Sequence, residues 1–219
     1  MTHRATLLIA AALAFAPFAA HAEPAVTIPP PAAEEPAPNI GIETAVLAGG
    51  CFWGIQAVYQ HVKGVTNAVS GYAGGAQKDA IYDAVSSGRT GHAEAVKVTF
   101  DPKQISYGKI LQIFFSVAHD PTQLNRQGPD HGPQYRSAIF TTSDEQKRVA
   151  QAYIAQLAAA KVFPQPIVTE VTPLPAFYAA EDYHQDYLAK HPTQPYIVFN
   201  DLPKLAALKE QFPSRYVGK

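Results

Sequence analysis

From about residue 41 onward, apolar and polar positions follow periods that name the elements. Thr44 to Ala48 is a short apolar run ending in Gly49-Gly50, the pattern of a buried strand followed by a tight turn. Ile55, Val58, Tyr59 and Val62 then recur at helical spacing with Gln56, Gln60 and Lys63 off that face, and Lys63-Gly64 supplies a glycine stop. Val65 to Tyr72 reads as strand, turned by Ala73-Gly74-Gly75, and Asp79 to Ser86 as a short helix. Ala93 to Phe100 alternates with period two, as a half-buried strand does, and Asp101-Pro102 ends it. Tyr107 to Val117 has the spacing of an amphipathic helix.

Residues 118–136 form a polar stretch punctuated by Gly and Pro, read as a loop. Ser137 to Thr141 resumes strand. Ser143-Asp144-Glu145-Gln146 resembles a capping box opening a helix that reaches about Ala160. Ile167 to Thr172 is a further strand, and Glu181 to Lys190 and Leu202 to Gln211 read as helices. Strands and helices alternate with few long loops, so the class is α+β or α/β, with sheet topology open.

Upstream of residue 41 the pattern changes. Residues 1–22 carry a short basic start (His3, Arg4), an apolar run to Ala20 and a small-x-small ending at Ala20-His21-Ala22, the features of a signal peptide. Pro17 interrupts that run, which is short for a membrane span, and no cysteine follows it to take a lipid. Residues 23–40 are rich in Pro, Ala and Glu with almost nothing to bury, the composition of an extended tether. The expected organisation is signal peptide 1–22, tether 23–40 and one domain over 41–219. Its location would be periplasmic or secreted.

Seventeen basic against eighteen acidic side chains, with no basic run, argue against nucleic acid or an anionic membrane surface as partner. One cysteine, Cys51, excludes a disulfide within these residues and in an exported chain suggests a reactive thiol or an intermolecular bridge. It falls between a strand ending in Gly-Gly and the start of a helix, where unpaired N–H groups and the helix dipole favour the thiolate. Gly50 and Gly54 on either side would let a ligand approach the sulfur. Phe52 and Trp53 would be ordinary core or the wall of an apolar pocket. Two other chemistries use the same residues. A cysteine–histidine hydrolase would pair Cys51 with His92, His119, His131 or His184. A metal module would enlist His92 with Glu94, or His119 with Asp120, at weak ligand spacing.

Gly50-Cys51-Phe52-Trp53-Gly54 resembles the signature of the A-type methionine sulfoxide reductases, the peptide-methionine (S)-S-oxide reductases. The likeness continues through Gly71-Tyr72-Ala73-Gly74-Gly75, Tyr82 and Ser87-Gly88-Arg89-Thr90-Gly91-His92-Ala93-Glu94. It then takes in His119-Asp120-Pro121-Thr122, Gln127-Gly128-Pro129-Asp130, Gln134-Tyr135-Arg136-Ser137 and Tyr183-His184-Gln185. The resemblance implies an α+β two-layer sandwich, a mixed sheet with flanking helices around a ferredoxin-like core. It implies thiol-dependent reduction of the S epimer of free or protein-bound methionine sulfoxide, repairing oxidised exported proteins. Cys51 would be the nucleophile, Glu94 the acid helped by Tyr82 and Tyr135, Phe52 and Trp53 the seat for the S-methyl group, and Asp130 a polar contact to substrate.

The chemistry fits those residue types, because a sulfoxide sulfur accepts a nucleophile when its oxygen is protonated or strongly hydrogen-bonded. Attack would leave Cys51 as a sulfenic acid. Glu94 can serve as an acid at neutral pH only if desolvation raises its pKa. Many relatives carry further cysteines that resolve the sulfenic acid, but the stretch Gln211 to Lys219 has none and Ser86 stands where some have one. No bound cofactor or metal is expected. Electrons would come from an external thiol: a thioredoxin-like protein, a glutathione system or, in the test tube, dithiothreitol. The enzyme is expected to act as a monomer.

Overall fold

The computed structural model describes residues 25–35 and 41–218. The signal-peptide reading of 1–22 therefore lies outside the described residues, and the tether is described only over 25–35.

Strand β1 (Glu43–Gly49) is buried from Ala45 onward on both faces, which marks it as a central strand. Gly50, at φ +95°, turns the chain into helix α1 (Phe52–Gln60), whose residues from Gly54 to Tyr59 are all buried. The helix stops at Gln60, short of Lys63, because the C-terminal tail claims the next residues. Lys63 N–H donates to Arg215 O at 2.7 Å, and Val62 bridges to Tyr216. Strand β2 (Val65–Ala73) follows, then a 3₁₀ turn and a single helical turn α2 (Tyr82–Val85), then strand β3 (Ala93–Phe100). Helix α3 (Tyr107–Ile113) runs into a π-helical turn, Phe114–Ala118.

The polar stretch after it contains a two-residue ladder, β4 (Arg126–Gln127) with β5 (Asp130–His131), turned through Gly128 at φ +54°. Strand β6 (Ser137–Thr141) leads to helix α4 (Asp144–Ala159). The expected cap forms with its return bond one residue further out: Ser143 Oγ accepts from Gln146 N–H at 3.0 Å, and the Gln146 amide oxygen accepts from Thr142 N–H, just before the cap, at 3.1 Å. Strand β7 (Glu170–Pro173) pairs parallel with β6, and a further short strand, β8 (Phe177–Ala179), pairs with β2.

Residues 181–190 do not form one helix. A 3₁₀ turn over Asp182–His184 gives way to extended backbone at Gln185, and helix α5 covers only Tyr187–Lys190. The Gln185 side chain supplies the reason. Its amide accepts from Ser70 N–H at 3.0 Å and donates to Ser70 O at 2.9 Å, extending the β2 edge as a strand would. Gln56 then takes Asp186 N–H at 2.9 Å. A second π-helical turn, Ile197–Asp201, precedes helix α6 (Leu202–Gln211).

Among the described residues the main sheet runs β7-β6-β1-β3-β2-β8, antiparallel except for β6 with β7. Its inner four strands, β6-β1-β3-β2, with α1 and α3 as crossovers, have ferredoxin-like order. One face carries Leu47, Val96, Val98 and Phe100 against Ile55, Tyr59, Ile110 and Phe114. The other packs smaller residues, Ala48, Ala73, Ala93, Ala95 and Ala138, around Val46 and Phe140. Strand period two puts Glu94 on the first face, at the end of the stripe formed by Val96, Val98 and Phe100.

Residues 25–35 have no regular structure but are laid against α3 and α4. Ile28 is buried, and the backbone of Ile28, Pro29 and Pro30 accepts hydrogen bonds from Gln112, Tyr153 and Gln156. Glu34 accepts from Gly108 N–H at 3.1 Å and from Ser106.

Candidate active site

Cys51 caps α1 directly over the end of β3. Phe52 N–H donates to Glu94 Oε2 at 3.1 Å, so the first free amide of the helix holds a carboxyl, not the sulfur. The expectation that the helix start would favour a Cys51 thiolate meets a stronger effect. Burial pushes the thiol well above its ordinary range, the Glu94, Asp201 and Asp130 charges add to that, and the Trp53 amide only partly opposes it. At rest the sulfur is a protonated thiol.

Glu94 is 2 % exposed and pushed up to about 8, by burial first and the Asp130 charge last, against the Phe52 hydrogen bond. It is therefore mostly a neutral acid at pH 7. Since Oε2 accepts from Phe52 N–H, the proton belongs on Oε1.

A cavity of about 260 Å³ opens above these groups. Cys51, Phe52, Trp53, Tyr82, Glu94, Asp130 and Tyr135 all line it, so the seven residues singled out in the sequence meet at one place. The Tyr82 and Tyr135 phenols are raised by burial and by the nearby Glu94, which keeps both as O–H donors. Tyr82 sits on α2, whose first amide donates to Glu181 Oε1 at 2.9 Å. The same carboxyl takes Tyr72 O–H at 2.8 Å on Oε2, tying α2 to β2 directly opposite Glu94. Trp53 stacks on Tyr187 with centroids 3.7 Å apart and planes 6° apart.

Gln194 and Tyr196 also line the cavity and were not singled out from sequence. Tyr196 donates its hydroxyl to Asp130 Oδ2, and its ring meets the Trp53 edge at 5.8 Å. Both residues lie past the last motif block, and a tyrosine among eleven carries no periodic signal that could have marked it.

The two flanking glycines serve a different end from the one expected. A Cβ on Gly50 would lie 2.5 Å from Gln127 Cγ, and one on Gly54 would lie 2.1 Å from Asp201 Oδ1. They admit the protein's own side chains behind the helix start, not a ligand. Asp201, fully buried, pairs there with Lys204 at 3.1 Å.

None of the four candidate histidines lines the cavity. His119 is held between Phe114 O and Ser137 Oγ, and His92 between Gly75 N and Ala76 O. His131 is exposed on β5, and His184 bonds Trp53. Among the described residues no group of three or more His, Cys, Asp or Glu side chains is placed to hold a metal ion.

A buried thiol beside a neutral carboxylic acid, phenol donors and an aromatic wall defines an oxidoreductase site suited to a small, polar, sulfur-bound oxygen. The family described as "Peptide methionine sulfoxide reductase" matches residues 43–216. A relative of that name from Mesorhizobium japonicum is 62% identical over 179 residues, 82% of this chain and 92% of its own. One from Synechocystis is 54% identical over 175 residues, 80% of this chain and 82% of its own. Among solved structures, methionine sulfoxide reductase A of Corynebacterium diphtheriae superimposes with a TM-score of 0.60 at 34% identity, covering 84% of this chain and 89% of that one. Reduced Mxr1 of Saccharomyces cerevisiae gives 0.63 at 33% identity, covering 73% and 91%. The chain belongs to the peptide methionine sulfoxide reductase family, and its activity is the reduction of methionine sulfoxide.

Proposed function

We propose that the chain reduces the S epimer of methionine sulfoxide, free or in proteins, by moving the oxygen onto Cys51. The observation that carries this reading is the meeting of Cys51, neutral Glu94 and the Tyr82 and Tyr135 hydroxyls around one cavity walled by Phe52 and Trp53. The aromatic pair seats the S-methyl group, and the Asp130–Tyr196 pair holds the polar end of the substrate. Glu94 gives its Oε1 proton to the sulfoxide oxygen while Tyr82 and Tyr135 share the charge developing there. Cys51 loses its thiol proton to Glu94, and its sulfur takes the oxygen as S–OH. The cysteine sulfur is oxidised by two electrons, and the substrate sulfur, reduced by two, leaves as the thioether.

These 219 residues hold no second cysteine to attack that sulfenic acid. An external thiol condenses with it, releasing water and leaving a mixed disulfide. A second thiol then frees Cys51. A thioredoxin-like protein or a glutathione system fits this role, and dithiothreitol replaces either in vitro. The basic, apolar and small-x-small features of residues 1–22 support export, and with it repair of oxidised periplasmic or secreted proteins.

A single-turnover experiment tests the mechanism. One equivalent of S-sulfoxide without reductant is expected to release about one methionine per chain and add one oxygen to Cys51 by mass spectrometry. Cys51→Ser is expected to release none while keeping its melting curve. Methionine continuing well past one per chain without a thiol, or an active Cys51→Ser, overturns the reading.

A further inference from the structure

His184 stands behind the aromatic wall, 2 % exposed. Its Nδ1 lies 3.1 Å from Trp53 Nε1. An indole N–H only donates, so Nδ1 accepts and the ring proton sits on Nε2. Nε2 is itself buried with no partner among the described residues. The imidazole also packs on Phe52 at 5.0 Å and on Tyr82 at 4.5 Å between centroids. Trp53 is thus held twice: Tyr187 sets the plane of the indole by stacking, and His184 stops it from sliding within that plane.

We propose that His184 is a positioning residue for the substrate's methyl seat, governing through the Trp53 N–H how tightly the sulfoxide is held and not the oxygen-transfer step. The proposal rests on the reading of this cavity as the sulfoxide pocket. His184 touches Trp53, Phe52 and Tyr82, all of which line the cavity, yet does not line it itself.

Trp53 is the only tryptophan in the sequence, so its emission reports on this contact without any turnover. The test compares His184→Asn, His184→Gln and His184→Leu. Asparagine can place its carbonyl oxygen where Nδ1 was and accept the indole N–H, whereas glutamine carries its amide nearer the Nε2 position and leucine has no acceptor. His184→Leu is expected to raise KM for the S-sulfoxide about three- to ten-fold, the range of one hydrogen bond. Its kcat should stay within about two-fold of wild type, with a shifted Trp53 emission. His184→Gln should follow leucine, and stands in for it if the leucine variant does not fold. His184→Asn should recover both KM and emission.

An asparagine variant as impaired as leucine overturns the proposal, because ring packing would then be what matters. So does a loss confined to kcat, which would place His184 in the proton chemistry. Unchanged emission in His184→Leu and His184→Gln also overturns it. A wild-type protein that reduces no sulfoxide removes the pocket reading instead, and the emission comparison still decides whether His184 holds Trp53.

Discussion

Glu94→Gln is expected to make the protein more stable and less active in one step. The unfolded chain ionises Glu94 near 4.5, whereas the fold holds it neutral up to about 8. At pH 7 folding must therefore protonate a group that water keeps charged. The interval from 4.5 to pH 7, at about 1.4 kcal/mol per pH unit, makes that cost on the order of 3 kcal/mol. Because the folded pKa is the raised one, this stability is fully present below about 4.5 and is lost as the pH climbs toward 8. Glutamine never ionises, and its side-chain oxygen can still accept from Phe52 N–H. Urea unfolding at pH 4.5, 6, 7 and 8 is expected to show the variant gaining on wild type across that range, by roughly 2–3 kcal/mol at pH 7. Turnover with dithiothreitol should fall at least ~10²-fold, as loss of a general acid does, and Glu94→Ala should fall further. A stability difference that is the same at pH 4.5 and pH 7, or turnover close to wild type, would refute the argument.

The other expectations concern the frame around the site. Burial and the Glu43 and Glu145 carboxylates push Glu35 up to about 7. Its protonated form favours the docked segment 25–35, so docking should weaken as the pH rises from about 4.5 through 7. Hydrogen exchange over residues 25–35 should then speed up beyond its ordinary base catalysis, and Glu35→Gln should remove the excess. A Cβ on Gly71 would meet Tyr178 O at 2.3 Å and Phe177 Cζ at 2.4 Å, so Gly71→Ala should displace β8. The expected loss is about 1–3 kcal/mol of stability, together with activity, since β8 leads directly to the Glu181 clamp on Tyr82. A variant as stable and active as wild type would show that β8 takes the methyl without moving, against this argument.

The period-two run from Ala93 to Phe100 and the capping box at Ser143 were legible because neighbouring residues in the chain decide them. The helix read over 181–190 broke at Gln185, whose amide finds Ser70 on a strand more than a hundred positions away, and no local pattern carries that contact. The same holds at the site. The Cys51 and Glu94 motifs could be picked out in the chain, but that Phe52 N–H would spend itself on Glu94 was not visible. Nor was the Tyr196–Asp130 bond, for it joins a helical turn to a two-residue strand with no common periodicity. Composition made 23–40 look empty of anything to bury, yet Ile28 enters the core and hydrogen bonds from Gln112, Tyr153 and Gln156 hold the described part against α3 and α4.

Tyr196 and Gln194 close a cavity whose floor is laid by Cys51 and Glu94, so the site spans most of the chain in order of synthesis. The sheet strands that hold Glu94 and Cys51 can form while the last stretch is still being made. During that interval the thiol lies open, with neither Tyr196 over it nor Asp201 behind it, and an oxidant needs no pocket to reach it. Gln194, Tyr196 and Asp201 therefore cover Cys51 from the end of the chain, and a chain that stops before them would have its sulfur without its shelter. Such long-range closure is slow compared with local folding. In a copy that has not yet laid that stretch over the cavity, the Cys51 sulfur is open to peroxide from the solvent.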